Sequence, residues 1–267
     1  MRHLSGGLTV ALCIASFSCG PRRIALPGDS GTPLPEFSAI HEQVSAACRG
    51  ARTFTAELSL RGRVGGQRIS GRAIVGFERP ASMRLEGLAP IGQPLFILAA
   101  QRGTGVLLLP RDRLVVRDQP AEAILDALMG VRLAPADLQA ILTGCVVQAP
   151  VASGGRLHAS GWASIDLQDG VRLYLRRASG GSAPRWELRA ARRGGWELEY
   201  EMGQARFPAS VRLTSDAGSV PVDLTAGVAQ VEANVDLDAA AFRVDVPPET
   251  MPLTLDELRE SSPLRAQ

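Results

Sequence analysis

Residues 80–145 read PASMRLEGLAPIGQPLFILAAQRGTGVLLLPRDRLVVRDQPAEAILDALMGVRLAPADLQAILTGC. Four short apolar runs, 83–88, 95–100, 106–109 and 114–116, are separated by turn residues: 89–94 (APIGQP), 101–105 (QRGTG) and 110–113 (PRDR). Runs of four to eight apolar residues bounded by Gly, Pro and Asp predict strands of an antiparallel meander. The period then changes. Ala121, Ile124, Leu125, Leu128 and Met129 recur at three and four, as do Leu138, Ile141 and Leu142, which is the spacing of one apolar helix face. Gly130 and Gly144 sit where helix C-caps belong, and Pro135 suits a first helical turn. A curved sheet is therefore followed by two short amphipathic helices, and the sheet is the nearest surface on which they can lay their apolar faces.

Upstream of this stretch, residues 35–49 have apolar positions at Phe37, Ile40, Val44 and Ala47/Cys48, a helical period ended by Gly50. Residues 53–63 alternate, with Phe54, Ala56, Leu58 and Leu60 on one face. Gly65-Gly66 reads as a hairpin turn, and 68–78 alternate again through Ile69, Ala73, Val75 and Phe77. One oily and one polar face belong to an antiparallel sheet wetted on one side. After Cys145 the strand pattern returns at 155–166, 170–177, 185–192, 196–202, 205–214, 220–224 and 228–235, with a last short strand at 242–246 stopped by Pro247-Pro248 and a helical turn at 255–260. No repeat and no internal linker divides the chain, so one domain is expected.

The first residues read as a secretory signal: a basic start, Met1-Arg2-His3, then an apolar run at 8–17, too short to span a bilayer as a helix. It ends Ser16-Phe17-Ser18-Cys19, which is similar to the lipobox of bacterial lipoproteins, where the Cys becomes the acylated mature N-terminus; the other reading is an ordinary signal peptide with an incidental Cys. The expected divisions are a signal peptide at 1–18, a Gly- and Pro-rich flexible tether at 19–34, the domain at 35–255 and a C-terminal tail at 256–267. In an exported, oxidising compartment the remaining Cys48 and Cys145 are expected to pair, the alternative being two buried thiols.

Composition narrows the function. Aromatics are 4% of the 267 residues, so the core is aliphatic, and a formal net charge of +2 gives no case for nucleic acid. All 29 basic residues are Arg. His41 and His158 are the histidines left after the signal, too few for a histidine metal site. There is no Ser-centred nucleophile elbow, no HExxH and no Gly-rich phosphate loop followed by Lys, and Glu86 and Asp112 read as solvated charges near turns. A non-enzymatic protein without a cofactor is expected.

Three stretches carry a family resemblance: Arg84-Leu85-Glu86-Gly87-Leu88-Ala89-Pro90-Ile91-Gly92; Ala127-Leu128-Met129-Gly130 followed by residues 138–144 (LQAILTG); and the ending at 242–248 (FRVDVPP). In order and spacing the chain resembles the LolA/LolB superfamily of bacterial lipoprotein carriers, and within it the LolB-like outer-membrane lipoproteins. The resemblance implies an α+β fold, an incomplete antiparallel β-barrel with a helical lid, enclosing an apolar cavity for acyl chains. Candidate lining residues are Phe54, Leu58, Phe77, Leu85, Phe96, Leu98 and Leu108 from the sheet and Leu125, Leu128, Leu138 and Leu142 from the lid; for each, plain core packing is the competing reading. Ile91 falls where LolB-like proteins present an apolar membrane-touching residue. The departures are a long, Arg-rich C-terminal part, the paired cysteines, and Ile91 in place of the usual Leu. The implied partners are acyl chains of lipoproteins or lipids, the outer membrane through Cys19, and a periplasmic carrier protein, with the domain a monomer facing the periplasm. The alternative is a structural or sensing envelope lipoprotein that binds a protein partner with a filled core.

Overall fold

A computed structural model describes residues 23–178, 185–203, 206–215 and 220–264. The signal segment and Cys19 lie outside the described residues. Helix α1 (Phe37–Gly50) precedes six strands: β2 (Thr53–Val64), β3 (Gln67–Glu78), β4 (Ser82–Leu88), β5 (Phe96–Gln101), β6 (Thr104–Leu109) and β7 (Leu114–Pro120). Helices α2 (Ala121–Met129) and α3 (Pro135–Thr143) follow. Then come β8 (Ala152–Leu157), β9 (Trp162–Leu167), β10 (Arg172–Arg177), β11 (Trp186–Arg193), β12 (Trp196–Met202), β13 (Pro208–Ser215) and β14 (Val222–Ala233). Two-residue strands β1 (Thr32–Pro33) and β15 (Met251–Pro252) form the edges, and α4 (Leu255–Ser261) ends the chain.

Among the described residues the strands make one sheet in the order β1-β8-β9-β10-β11-β12-β13-β14-β2-β3-β4-β5-β6-β7-β15. Neighbours are antiparallel except β15 on β7. The two meanders join where β14 pairs with β2 over most of its length, so the first and second halves of the sequence share one curved, unclosed surface. Its terminal strands are two residues long.

Period-two alternation sends Phe54, Ala56 and Leu58 of β2 and Ala73, Val75 and Phe77 of β3 to one face, where all are buried. On that inner face the helices cover two apolar clusters. One is built on β2–β7 under α2 and α4; the other is built on β9–β13 with Ile40 of α1 and Ile141 of α3. The expected caps hold. Gly130 and Gly144 take left-handed φ values of 74° and 88°, and Pro135 opens α3. At Gly130 even a methyl group would fail, since an added Cβ would stand 2.5 Å from Val64 Cγ1. The disulfide forms: Cys48, near the end of α1, is bonded to Cys145 just past α3.

Several expectations are corrected. The single strand read over 155–166 is two, β8 and β9, because His158, Ser160 and Gly161 make a turn in which Gly161 N–H donates to the His158 carbonyl. Residues 220–224 and 228–235 are one strand, β14, whose register shifts between Ala229 and Glu232 at Gln230, with φ 50°. Residues 242–246 are no strand; Ala239–Phe242 is a 3-10 turn capped by the Asp238 carboxylate and packed on β4 and β5. The chain from 239 to 253 therefore straps the outer face. Arg84 Nη1 donates to the carbonyls of Ala241 and Arg243, and Leu253 N–H to Val115 O. The segment after 255 is held as well. Leu258 and Leu264 are buried, and Ser262 Oγ donates to Leu128 O at 2.6 Å. From residue 23 the expected tether is docked on the outer face, with Ile24 and Leu26 against Trp162, Tyr174 and Ala190.

Candidate apolar ligand site

The inner face is assembled in cross-strand rows. Ala56, Val75, Leu85, Leu98, Leu107 and Val116 stand opposite one another in turn across β2 to β7. The next row brings Phe54, Phe77, Met83 and Ala100 together. Onto these rows α2 lowers Ile124, Leu125 and Leu128, and α3 lowers Leu142. The structure thus gathers Phe54, Leu58, Phe77, Leu85, Phe96, Leu98, Leu125, Leu128 and Leu142 into one buried cluster, with Leu138 half-buried at its margin. Leu108 is the exception. It pairs with Ile97 and Val115 on the opposite face, and Leu107 and Leu109 point inward instead. The run at 106–109 is apolar on both faces because the strap covers its outer side, so composition could not tell the two faces apart.

Gly87 shows how closely this cluster is packed. It lies opposite Phe96, and a Cβ there would meet the Phe96 ring at 2.3 Å. The phenyl group lies over bare backbone. The Gly87 of the sequence motif is therefore the space that Phe96 occupies.

The candidate lining residues fill the space between sheet and lid with their own side chains: Phe54, Phe77, Phe96, Leu98 and Leu125 have no exposed surface. Among the described residues, cavities of about 960, 330 and 30 Å³ lie elsewhere and are not lined by these residues. Between the two clusters the inner face stays apolar but is less covered. Leu60, Leu224 and Trp196 are half-buried against the first cluster, and Leu133 and Leu213 touch both. This seam was not among the expected site residues. Leu213 and Leu224 face one another across β13 and β14, a pairing that depends on strands distant from the lid in sequence.

Ile91 is 86% exposed. Its loop, between β4 and β5, is held from β6–β7: Arg111 Nη2 donates to Ile91 O at 2.7 Å and Nε to Gln93 O at 3.2 Å. The antiparallel order puts this loop at the same end of the sheet as the β6–β7, β9–β10 and β11–β12 turns. Arg23, the first described residue, lies beside Gly170 and Gly194 of the latter two. His41 of α1 is 4% exposed with Nε2 unpartnered among the described residues, and burial holds its pKa below the ordinary histidine value. His158 meets Asp29 at 3.1 Å and Ser164 at 2.9 Å, a link that pins the N-terminal segment.

No protein-family model and no curated protein matches the chain. Solved structures do. A DUF1329 family protein from Desulfovibrio piger matches with a TM-score of 0.50 at 12% identity, covering 79% of this chain and 97% of that one. A LolA superfamily protein from Nitrosomonas europaea matches with a TM-score of 0.47 at 11% identity, covering 77% and 96%. At such identities the likeness is one of fold. A strongly curved, unclosed antiparallel sheet carrying helices on its apolar face is the fold of this chain, and it is a fold that the Desulfovibrio piger structure shares.

Proposed function

We propose that this protein is a membrane-anchored carrier or receptor of the bacterial envelope. It holds acyl chains of lipoproteins or lipids between the sheet and its lid helices and helps deliver them to the outer membrane. One observation carries the reading: an unbroken apolar inner face runs from one cluster to the other and is only half-covered at the seam of Leu60, Leu133, Leu213 and Leu224. A guest chain entering there exchanges apolar contact for apolar contact. Each methylene it buries contributes about 0.8 kcal/mol, and the lid leucines it displaces lose a similar amount. Loading is then close to balanced and reversible, as a carrier requires. Cys19 is the lipidation site in this reading. Ile91 is the membrane-touching residue, and its position at the sheet end where the N-terminal segment arrives supports that role.

A second reading is favoured by the filled core: an envelope lipoprotein that uses the same fold to bind a protein partner. Native mass spectrometry of the purified chain before and after delipidation, together with uptake of a fluorescent fatty acid, separates the two. A bound apolar molecule or saturable uptake supports the carrier. Neither bound lipid nor uptake removes it and leaves the second reading standing.

A further inference from the structure

A cavity of about 960 Å³ is a groove on the polar outer face of the sheet, away from the lid. Its floor is centred on Arg212 of β13. The guanidinium holds the Asp223 carboxylate through two bonds of 2.8 Å, and Nη1 lies 3.6 Å from Glu199 Oε2. The other Glu199 oxygen accepts the Ile24 N–H at 2.7 Å. Both floor carboxylates are therefore already engaged. Around them stand Arg61, Arg63, Arg68 and Arg189, with Glu201 as the remaining carboxylate of the rim. Among the described residues none of these four arginines makes an ion pair or a side-chain hydrogen bond. Elsewhere on the outer face several arginines are paired: Arg72 with Glu57, Arg172 with Asp166 and Arg192 with Glu197.

The backbone gathers these charges. Arg63 and Arg68 are directly opposite in the β2–β3 ladder, a placement that sets Cβ atoms about 5 Å apart and is destabilising for like charges. The residue facing Arg63 from β14 is Asp223, which Arg212 has taken. Arg189 is the extra residue of a bulge against β10, which puts it and Ala190 out of simple alternation. Gly62 brings β2 close over β14: a Cβ there would stand 2.0 Å from Asp223 O.

Guanidinium groups that face one another with no ion pair among the described residues, above floor carboxylates that are already hydrogen-bonded, are arranged to take bidentate oxyanions. A space of this size suits a whole headgroup rather than one small ion. We propose that the groove between the β2–β3 hairpin and β11–β14 binds an extended ligand carrying two or more phosphate groups, one of them clamped between Arg63 and Arg68. Such phosphates occur on lipid headgroups and on free polyphosphorylated molecules.

The test uses the full chain in non-ionic detergent and two probes in isothermal titration: inorganic tripolyphosphate, and micelles doped with cardiolipin. Binding of tripolyphosphate supports a groove that takes soluble phosphates. Binding of cardiolipin micelles alone, over undoped micelles, supports a lipid headgroup. The R63Q/R68Q pair should weaken binding about tenfold or more, and so should R61Q/R189Q. R117Q, an exposed arginine outside the groove, should change it less than about twofold, since a distant surface charge is screened. The proposal is overturned if neither probe binds, if both double variants bind like the parent, or if R117Q loses as much as they do.

Discussion

Replacing Cys48 and Cys145 together by Ala tests how the lid is secured. The bond closes a loop of 97 residues that contains β2–β7, α2 and α3. Chain entropy assigns a loop of that length about 4.7 kcal/mol of destabilisation of the unfolded state. Both cysteines are buried, at 1% and 2% exposure, so Ala strands no polar group, and the variant isolates the cross-link. At about 2–4 °C per kcal/mol for a chain of this size, the melting temperature should fall by about 9–19 °C. Circular dichroism melting in non-reducing buffer measures this, and the parent protein with a thiol reductant should follow the variant. At temperatures well below either transition, the variant should also take up a fluorescent fatty acid faster, because α3 is no longer tied to α1. A melting temperature within about 2 °C of the parent, with or without reductant, would refute the reasoning.

Phe96→Ala removes a ring with no exposed surface that lies over Gly87; it should cost about 3–5 kcal/mol in urea unfolding, and a loss under 1 kcal/mol would mean that the ring is not core. Ile91→Asp changes an 86% exposed side chain, so stability should stay within about 0.5 kcal/mol, while transfer of a labelled acyl cargo to vesicles falls; unchanged transfer would remove Ile91 from the membrane contact. The His41 pKa is depressed below 6.5, first by burial and then by the nearby Arg49 charge. The unfolded chain therefore binds the proton more readily than the folded one. Stability should be level above about pH 7.5, fall as pH drops through 6.5, and level off below the folded pKa. His41→Leu should flatten this slope between pH 8 and 5 in melting temperature against pH; an equal slope in both proteins would assign it to other groups.

Much of the fold was legible in particular residues. The alternation of Phe54, Ala56 and Leu58, the left-handed caps at Gly130 and Gly144, and Pro135 at the start of α3 are local signals, and local geometry obeyed them. The sequence of one helix, a meander, two lid helices and a second meander could be read from periodicity because each element depends on its own few residues. Two readings failed where the deciding contact is distant. Leu108 and Leu107 cannot be ranked without knowing that the 239–253 strap covers the outer face. The 242–246 run is apolar because Phe242, at the start of that strap, is buried where the turn packs on β4 and β5, and not because it extends a sheet; the 155–166 run, by contrast, hides a turn closed by a local hydrogen bond.

The site divides in the same way. Composition and spacing alone determined that an oily sheet face would meet two oily helices, and named most of the residues that do meet. Whether those side chains leave room or fill it, where the two clusters join, and that four arginines crowd one outer groove were decided only by tertiary structure. Alternation says which way a side chain points along its own strand. It says nothing of which strand lies beside it, and every one of these features is made between strands that the chain brings together from far apart.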